Sequence, residues 1–245
     1  YMRDNFKVSC ALSADLAFAD LPLQLDRELG REVLNRYGLT PDGYFTVVVS
    51  AGQRGGKYYC KSETDYLDCF QKMICRLADT ERLADKKIVL LAHTFGHYGD
   101  EREYIEKLYA RLPETIQVRT VVITDKIYQT RARFVLQGGL FTITGRMHAA
   151  VSTFQGGKPA ISLSYSTKFR GVIGDSLDQQ ALVIEADQDA LWHSGEIVDR
   201  VCEKIDGLWS DYAGLCDRIR NRVKELQQQV SSTLDRIAVD RPSQK

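Results

Sequence analysis

The sequence predicts an α/β protein built on a Rossmann-like, doubly wound parallel sheet that ends in a long C-terminal helix. Three observations carry this. Short, unbroken, β-branched apolar runs recur along the chain; segments with one apolar helical face lie between them; and an apolar stripe at helical spacing runs through the last fifth. Parallel strands buried on both faces read as continuous apolar runs, and strand–helix alternation selects a sheet covered by helices on each side.

The expected strands are Phe45–Ser50, Lys87–His93, Val118–Ile123, Leu140–Thr144 and Ala160–Ser164. Between the first two, Tyr66, Leu67, Phe70, Met73, Ile74 and Leu77 recur at steps of three and four, which makes one helix face; Tyr104, Ile105, Leu108 and Leu112 do the same further on. Arg131 and Arg133 fall on a helix before the fourth strand and read as surface charges. The stripe from Val201 to Ile237 predicts either a helix pair capping the sheet or one long helix packing on a further part of the protein, with Gly207 and Gly214 as weak points. Trp192 and His193 read as packing residues at the start of that helical region. Upstream, Val8–Phe18 reads as strand-like and Leu25–Tyr37 as helical; the tail from Asp240 reads as disordered. The expected organisation is an inter-domain segment over 1–40, a ligand-binding domain over 41–190 and a helical extension over 191–245.

Composition narrows the function classes. Lys plus Arg and Asp plus Glu both number 33, so no global field draws in nucleic acid. No apolar run reaches the roughly 20 residues that span a bilayer. The start at Tyr1-Met2-Arg3-Asp4 does not read as a leader, and the expectation is a cytoplasmic protein, or one peripheral at the inner membrane, with further sequence upstream. The six cysteines form no CxxC pair and read as reduced core thiols.

In a doubly wound sheet, ligands sit beyond the carboxyl ends of the strands, so the loops there are the candidates. The strongest is Thr144-Gly145-Arg146-Met147-His148-Ala149-Ala150, a strand-to-helix corner. Gly145 allows a tight turn, the helix start offers free N–H groups to an anion, and Arg146 adds a fork suited to phosphate or carboxylate. His148 stands in the first helical turn, where an acid/base group is useful. After the next strand, Ser164-Tyr165-Ser166-Thr167-Lys168-Phe169-Arg170-Gly171 supplies hydroxyls and two cations. After the first strand, Gly52-Gln53-Arg54-Gly55-Gly56-Lys57 suits phosphate but matches no phosphate-loop pattern, and Arg54 is a candidate contact. His93-Thr94-Phe95-Gly96-His97-Tyr98-Gly99-Asp100 follows the second strand. His93 and His97 are spaced as metal ligands would be on a helix, but the glycines make this a loop that lines the crevice, with Asp100 placed for a sugar hydroxyl.

Three of these pieces together resemble the signature of the polysaccharide pyruvyl transferase family. Gly145-Arg146-Met147-His148-Ala149-Ala150, then Gly157-Lys158-Pro159 with the strand Ala160–Ser164, then Tyr165, Lys168 and Gly171 follow the family order R-L-H-a, G-x-P, strand, Y-x-x-K-x-x-G, with Met147 in place of Leu. Ser13-Ala14-Asp15-Leu16-Ala17-Phe18 resembles the family's D-x-x-F element, and Arg3-Asp4 an element before it in which Lys7 replaces a serine. The resemblance implies the C-terminal half of a GT-B-like fold, with an N-terminal half-domain as partner. It also implies phosphoenolpyruvate as donor, a sugar or lipid-linked glycan as acceptor, formation of a pyruvate ketal for cell-envelope or exopolysaccharide synthesis, and no metal or organic cofactor. By that resemblance Arg146 and His148 are catalytic, and Lys168, Tyr165, Arg170, Gly145, Arg54, His93 and Asp100 bind substrate. Two other readings stand beside it: a nucleotide-sugar glycosyltransferase or epimerase of the same architecture, and a non-catalytic half that binds sugar phosphate.

Overall fold

The computed structural model of the protein describes residues 13–20, 25–50, 60–96, 100–127 and 129–239. Among these residues six strands, β1 (Tyr44–Val48), β2 (Lys87–Leu91), β3 (Thr120–Ile123), β4 (Thr142–Thr144), β5 (Ala160–Ser164) and β6 (Val183–Glu185), form one sheet in the order β3-β2-β1-β4-β5-β6, and every pairing is parallel. The chain runs outward from β1 to β3, then crosses back to β4 and runs outward the other way. The loops after β1 and β4 therefore part at the switch point, where such sheets bind ligands.

Among the described residues, the α-helices of four or more residues are α1 (Arg27–Arg36), α2 (Glu63–Ala78), α3 (Arg102–Arg111), α4 (Glu114–Gln117), α5 (Gln129–Gly138), α6 (Met147–Gln155), α7 (Asp189–His193), α8 (Glu196–Leu208) and α9 (Tyr212–Val239), and the segment after β5 is helical as well, an α-helical turn over Thr167–Phe169 running into a π-helix over Arg170–Ser176. Both faces of β1 are buried because its alternate side chains serve different clusters. Phe45 and Val47 join the large core with α2 and α8, while Tyr44 and Val48 join a smaller cluster with Val33 and Leu34 of α1 and Val135 and Leu136 of α5. Asp26 caps α1 through the amides of Glu28 and Leu29, and Ser62 caps α2 through that of Asp65, so each helix begins where a side-chain oxygen can satisfy its first N–H groups.

The C-terminal stripe resolves into a helix pair. It is interrupted at Trp209–Asp211, where Asp211 restarts the chain as α9 by accepting the amide of Gly214 at 3.2 Å, while Gly207 and Gly214 both lie inside helices. Trp192 is fully buried beside Tyr66 and Phe70, with ring centroids 4.9 and 6.0 Å away, and its indole N–H donates to the Ala186 carbonyl at 3.0 Å. At Gly157, with φ +71°, a Cβ would come within 2.3 Å of the Arg220 Cγ, so the turn between α6 and β5 needs glycine both for its backbone and for its closeness to α9.

Three expectations change. β6 was not expected; its apolar run, Leu182-Val183-Ile184, is shorter than those read as strands. The expected strand over Val8–Phe18 falls partly outside the described residues, and Leu16–Phe18 is a 3-10 turn that Asp15 caps through the Ala17 amide. Arg133 is half-buried rather than a surface charge: one nitrogen reaches the Ala17 carbonyl at 3.4 Å, the other is enclosed without a partner, and burial lowers its pKa, with Asp20 opposing. Cys60, Cys69, Cys75, Cys202 and Cys216 are free thiols. The expectations for Cys10, Arg54, His97 and the tail lie outside the described residues. Among the described residues, no helix is long and apolar enough to cross a membrane.

Candidate functional site

Past the carboxyl ends of the strands, three loops come level. Carrying the β1–β2 register on from Val47↔Leu90 sets Ser50 beside His93, and carrying β1–β4 on from Val48↔Thr144 sets Ser50 beside Arg146. A cavity of about 620 Å³ opens above this row. It is lined by His93 from the β2 loop, Lys126 from the β3 loop, Arg146 and His148 from the β4 corner, and Tyr165 and Lys168 from the β5 loop. Its size suits a small or mid-sized ligand.

The charge of the lining has one sign. Among the described residues, no carboxylate lines the cavity, and Lys126 and Lys168 have no ion-pair partner. The apolar contribution comes from Phe95, Ile127, Met147 and Phe169, with Tyr165 edge-on to Phe169 at 5.3 Å. At the corner, the Arg146 amide donates to the Thr144 hydroxyl at 2.8 Å and the Ala150 amide makes the first intrahelical bond of α6 to the Arg146 carbonyl. Arg146 supplies no side-chain cap, which leaves the first-turn N–H groups of α6 available to an anion.

Beneath the cavity lies a residue that the sequence did not single out. Glu101 is completely buried. One carboxylate oxygen accepts the amides of His93 and Thr94 at 2.9 and 3.0 Å; the other accepts the Nε–H of Arg146 at 2.5 Å. Burial pushes this carboxyl above its ordinary pKa, while Arg146 and the two amides pull it back. The Nη2 of Arg146 is enclosed and has no protein partner. Tyr66 ties the roof of the core to this region: its hydroxyl accepts the Ser50 amide at 2.9 Å, and it feels the charges of Glu101 and Arg146.

His93 is a neutral imidazole here. Burial, and then the neighbouring Arg146 and His148, push its pKa down from 6.5 to about 4. The unfolded chain takes up this proton near pH 6.5 and the folded chain does not. The stability contributed by the neutral ring is thus complete above pH 6.5 and is lost as pH falls toward 4, by about 3 kcal/mol at most. An NMR titration of the His93 ring should give a midpoint near 4; an ordinary midpoint contradicts the burial argument.

Of the residues expected at the site, Arg146, His148, Tyr165, Lys168 and His93 share the cavity wall. Gly145 is buried at the corner, but it is absent from the described residues with positive φ, so the turn needs no left-handed backbone. Arg170 points to Glu185 at 3.1 Å and does not line the cavity. Asp100 is held by Arg102 at 2.5 Å and accepts the Arg102 amide at the start of α3; these bonds hold its pKa well below the carboxylate range and leave it off the wall. Lys126 was missed because a lone lysine after a short strand carries no pattern.

Comparison with protein-family models and with curated proteins found no match. Solved structures do match in fold. A Staphylococcus aureus MnaA–UDP complex superposes with a TM-score of 0.55 at 12% identity, over 92% of this chain and 53% of that one. The Escherichia coli ADP-heptose lipopolysaccharide heptosyltransferase II gives 0.51 at 13% identity, over 75% and 52%. The C-terminal domain of a Francisella tularensis glycosyl transferase group 1 family protein gives 0.50 at 11% identity, over 88% and 96%. This likeness shows the fold: a Rossmann-like α/β domain of the kind that forms the C-terminal half of GT-B proteins. The chain spans about half the length of the first two structures, 53% and 52%.

Proposed function

We propose that this chain is the donor-binding half of a polysaccharide pyruvyl transferase, which moves pyruvyl from phosphoenolpyruvate onto two hydroxyls of a sugar. One observation carries the reading: the residues of the R-x-H and Y-x-x-K elements, which follow the adjacent strands β4 and β5, line a single cationic cavity. Phosphoenolpyruvate carries a carboxylate and a phosphate, and the wall offers Arg146, Lys168 and the start of α6 to hold them. His148 gives a proton to the enol methylene and leaves C2 electrophilic. A sugar hydroxyl adds at C2, the C2–O bond to phosphate breaks, and a second hydroxyl closes the ketal. Of the two protons released, one restores His148 and one leaves with phosphate, so the reaction needs no oxidant.

A second reading, a nucleotide-sugar transferase or epimerase, has its support in the fold likeness to the UDP complex and the heptosyltransferase. The solved structures support this second reading more than the first; the motif set supports the first. The same cations would then hold a diphosphate. The third, a non-catalytic half, expects binding without turnover. Incubating the protein, together with an N-terminal half-domain, with phosphoenolpyruvate and lipid-linked glycan precursors should release inorganic phosphate in step with ketal formation. Turnover of a UDP-sugar with no phosphate release from phosphoenolpyruvate overturns the first reading in favour of the second.

A further inference from the structure

We infer that Glu101 is a positioning residue, which aims Arg146 at the donor anion and locks the His93–Thr94 loop to the α6 corner; this rests on the cavity being the donor site. The carboxylate holds the guanidinium only by its Nε edge, at 2.5 Å, and so fixes the plane of the group while leaving Nη2 without a protein partner. Its other oxygen holds two consecutive amides, those of His93 and Thr94, and its own amide donates back to the Thr94 carbonyl at 3.1 Å. One buried side chain thus fixes both the β2 loop and the β4 corner, the two walls that carry His93 and Arg146. A guanidinium on a flexible stem loses entropy when it docks an anion; one held in place by a buried carboxylate has already lost it.

Charge and position predict opposite signs. Glu101 is a negative charge beneath an anion site, so by through-space attraction alone its neutralisation should tighten anion binding. If its work is to orient Arg146, neutralisation should loosen binding despite the more positive wall. Glu101→Gln keeps the shape and removes the charge: its one oxygen can still accept the His93 and Thr94 N–H groups, while its NH2 replaces the oxygen that accepts the Arg146 Nε–H.

The test is a double-mutant cycle on the whole chain, with phosphoenolpyruvate, UDP and inorganic phosphate as separate calorimetric probes. For whichever probe the wild type binds, Glu101→Gln is expected to weaken affinity about ten- to a hundredfold, and the Glu101→Gln/Arg146→Ala double variant to bind no worse than Arg146→Ala alone. Tighter binding by Glu101→Gln, or losses that add, overturn the inference. A wild type that binds no probe refutes the donor-site reading, and Glu101 is then judged by hydrogen exchange of the Arg146 Nε–H. Slow exchange in the wild type that becomes fast in Glu101→Gln upholds the clamp. Fast exchange in the wild type, or exchange equally slow in Glu101→Gln, overturns it, and the wild-type arm needs no variant to fold.

Discussion

Replacing His148 with alanine is expected to lower turnover about 10²- to 10⁴-fold, the usual worth of a positioned acid/base group. The side chain lies in the first turn of α6, exposed on the cavity wall, and supports none of the core. Stability should therefore hold within about 0.5 kcal/mol, as for surface substitutions generally. This separation of effects is the point of the experiment. Met147 and Ala149 on either side stay in place, the helix start still faces the donor, and what disappears is the proton the methylene carbon requires. Donor affinity should change much less than turnover, because the carboxylate and phosphate are assigned to Arg146 and Lys168. Steady-state kinetics of phosphate release check this. Near-wild-type turnover in His148→Ala removes the assignment, and His93, neutral and on the same wall, becomes the next proton donor or acceptor to test.

Trp192→Ala should be the most damaging change to stability, at about 3–5 kcal/mol. The indole is fully buried, packs on Tyr66 and Phe70, and satisfies the Ala186 carbonyl through its N–H. The backbone carbonyl of Trp192 accepts the Cys69 thiol at 3.1 Å, so the residue joins α2 to the segment that follows β6. Truncation opens a large cavity, strands a carbonyl and frees Tyr66, whose hydroxyl holds the end of β1. Trp192→Phe keeps most of the ring contact and should cost less than half as much. Guanidinium denaturation distinguishes them: a shifted midpoint with an unchanged slope is the expected form. Equal and small losses from both variants contradict the packing account.

The sheet was legible because its strands are buried on both faces. Phe45-Thr46-Val47-Val48 and Lys87 to Leu91 are apolar runs that sequence can hardly disguise, and the helix faces of α2 and α3 repeat at steps of three and four. The corner at Arg146 and the loop at Lys168 were legible because residue type and place after a strand both pointed to an anion. What sequence did not expose depended on three-dimensional partners. Glu101 looks like an ordinary acidic residue at a helix start, and only folding buries it against Arg146. Asp100, one residue earlier, looked better suited to a ligand, but Arg102 claims it. Arg170 has the right chemistry and the right loop, and Glu185 on a strand too short to be foreseen takes it. Arg133 appeared to be a solvated helix charge because the turn at Leu16–Phe18 that covers it carries no strong pattern.

The claim that Arg146, His148 and Lys168 form one anion site is tested most directly by titrating phosphoenolpyruvate into the isotope-labelled protein and following its arginine, histidine and lysine side-chain signals by NMR. The expected result is that these three, with His93, shift together along one saturation curve while Arg170 and Arg102 stay still. Saturable shifts confined to other side chains, or separate curves for Arg146 and Lys168, contradict it.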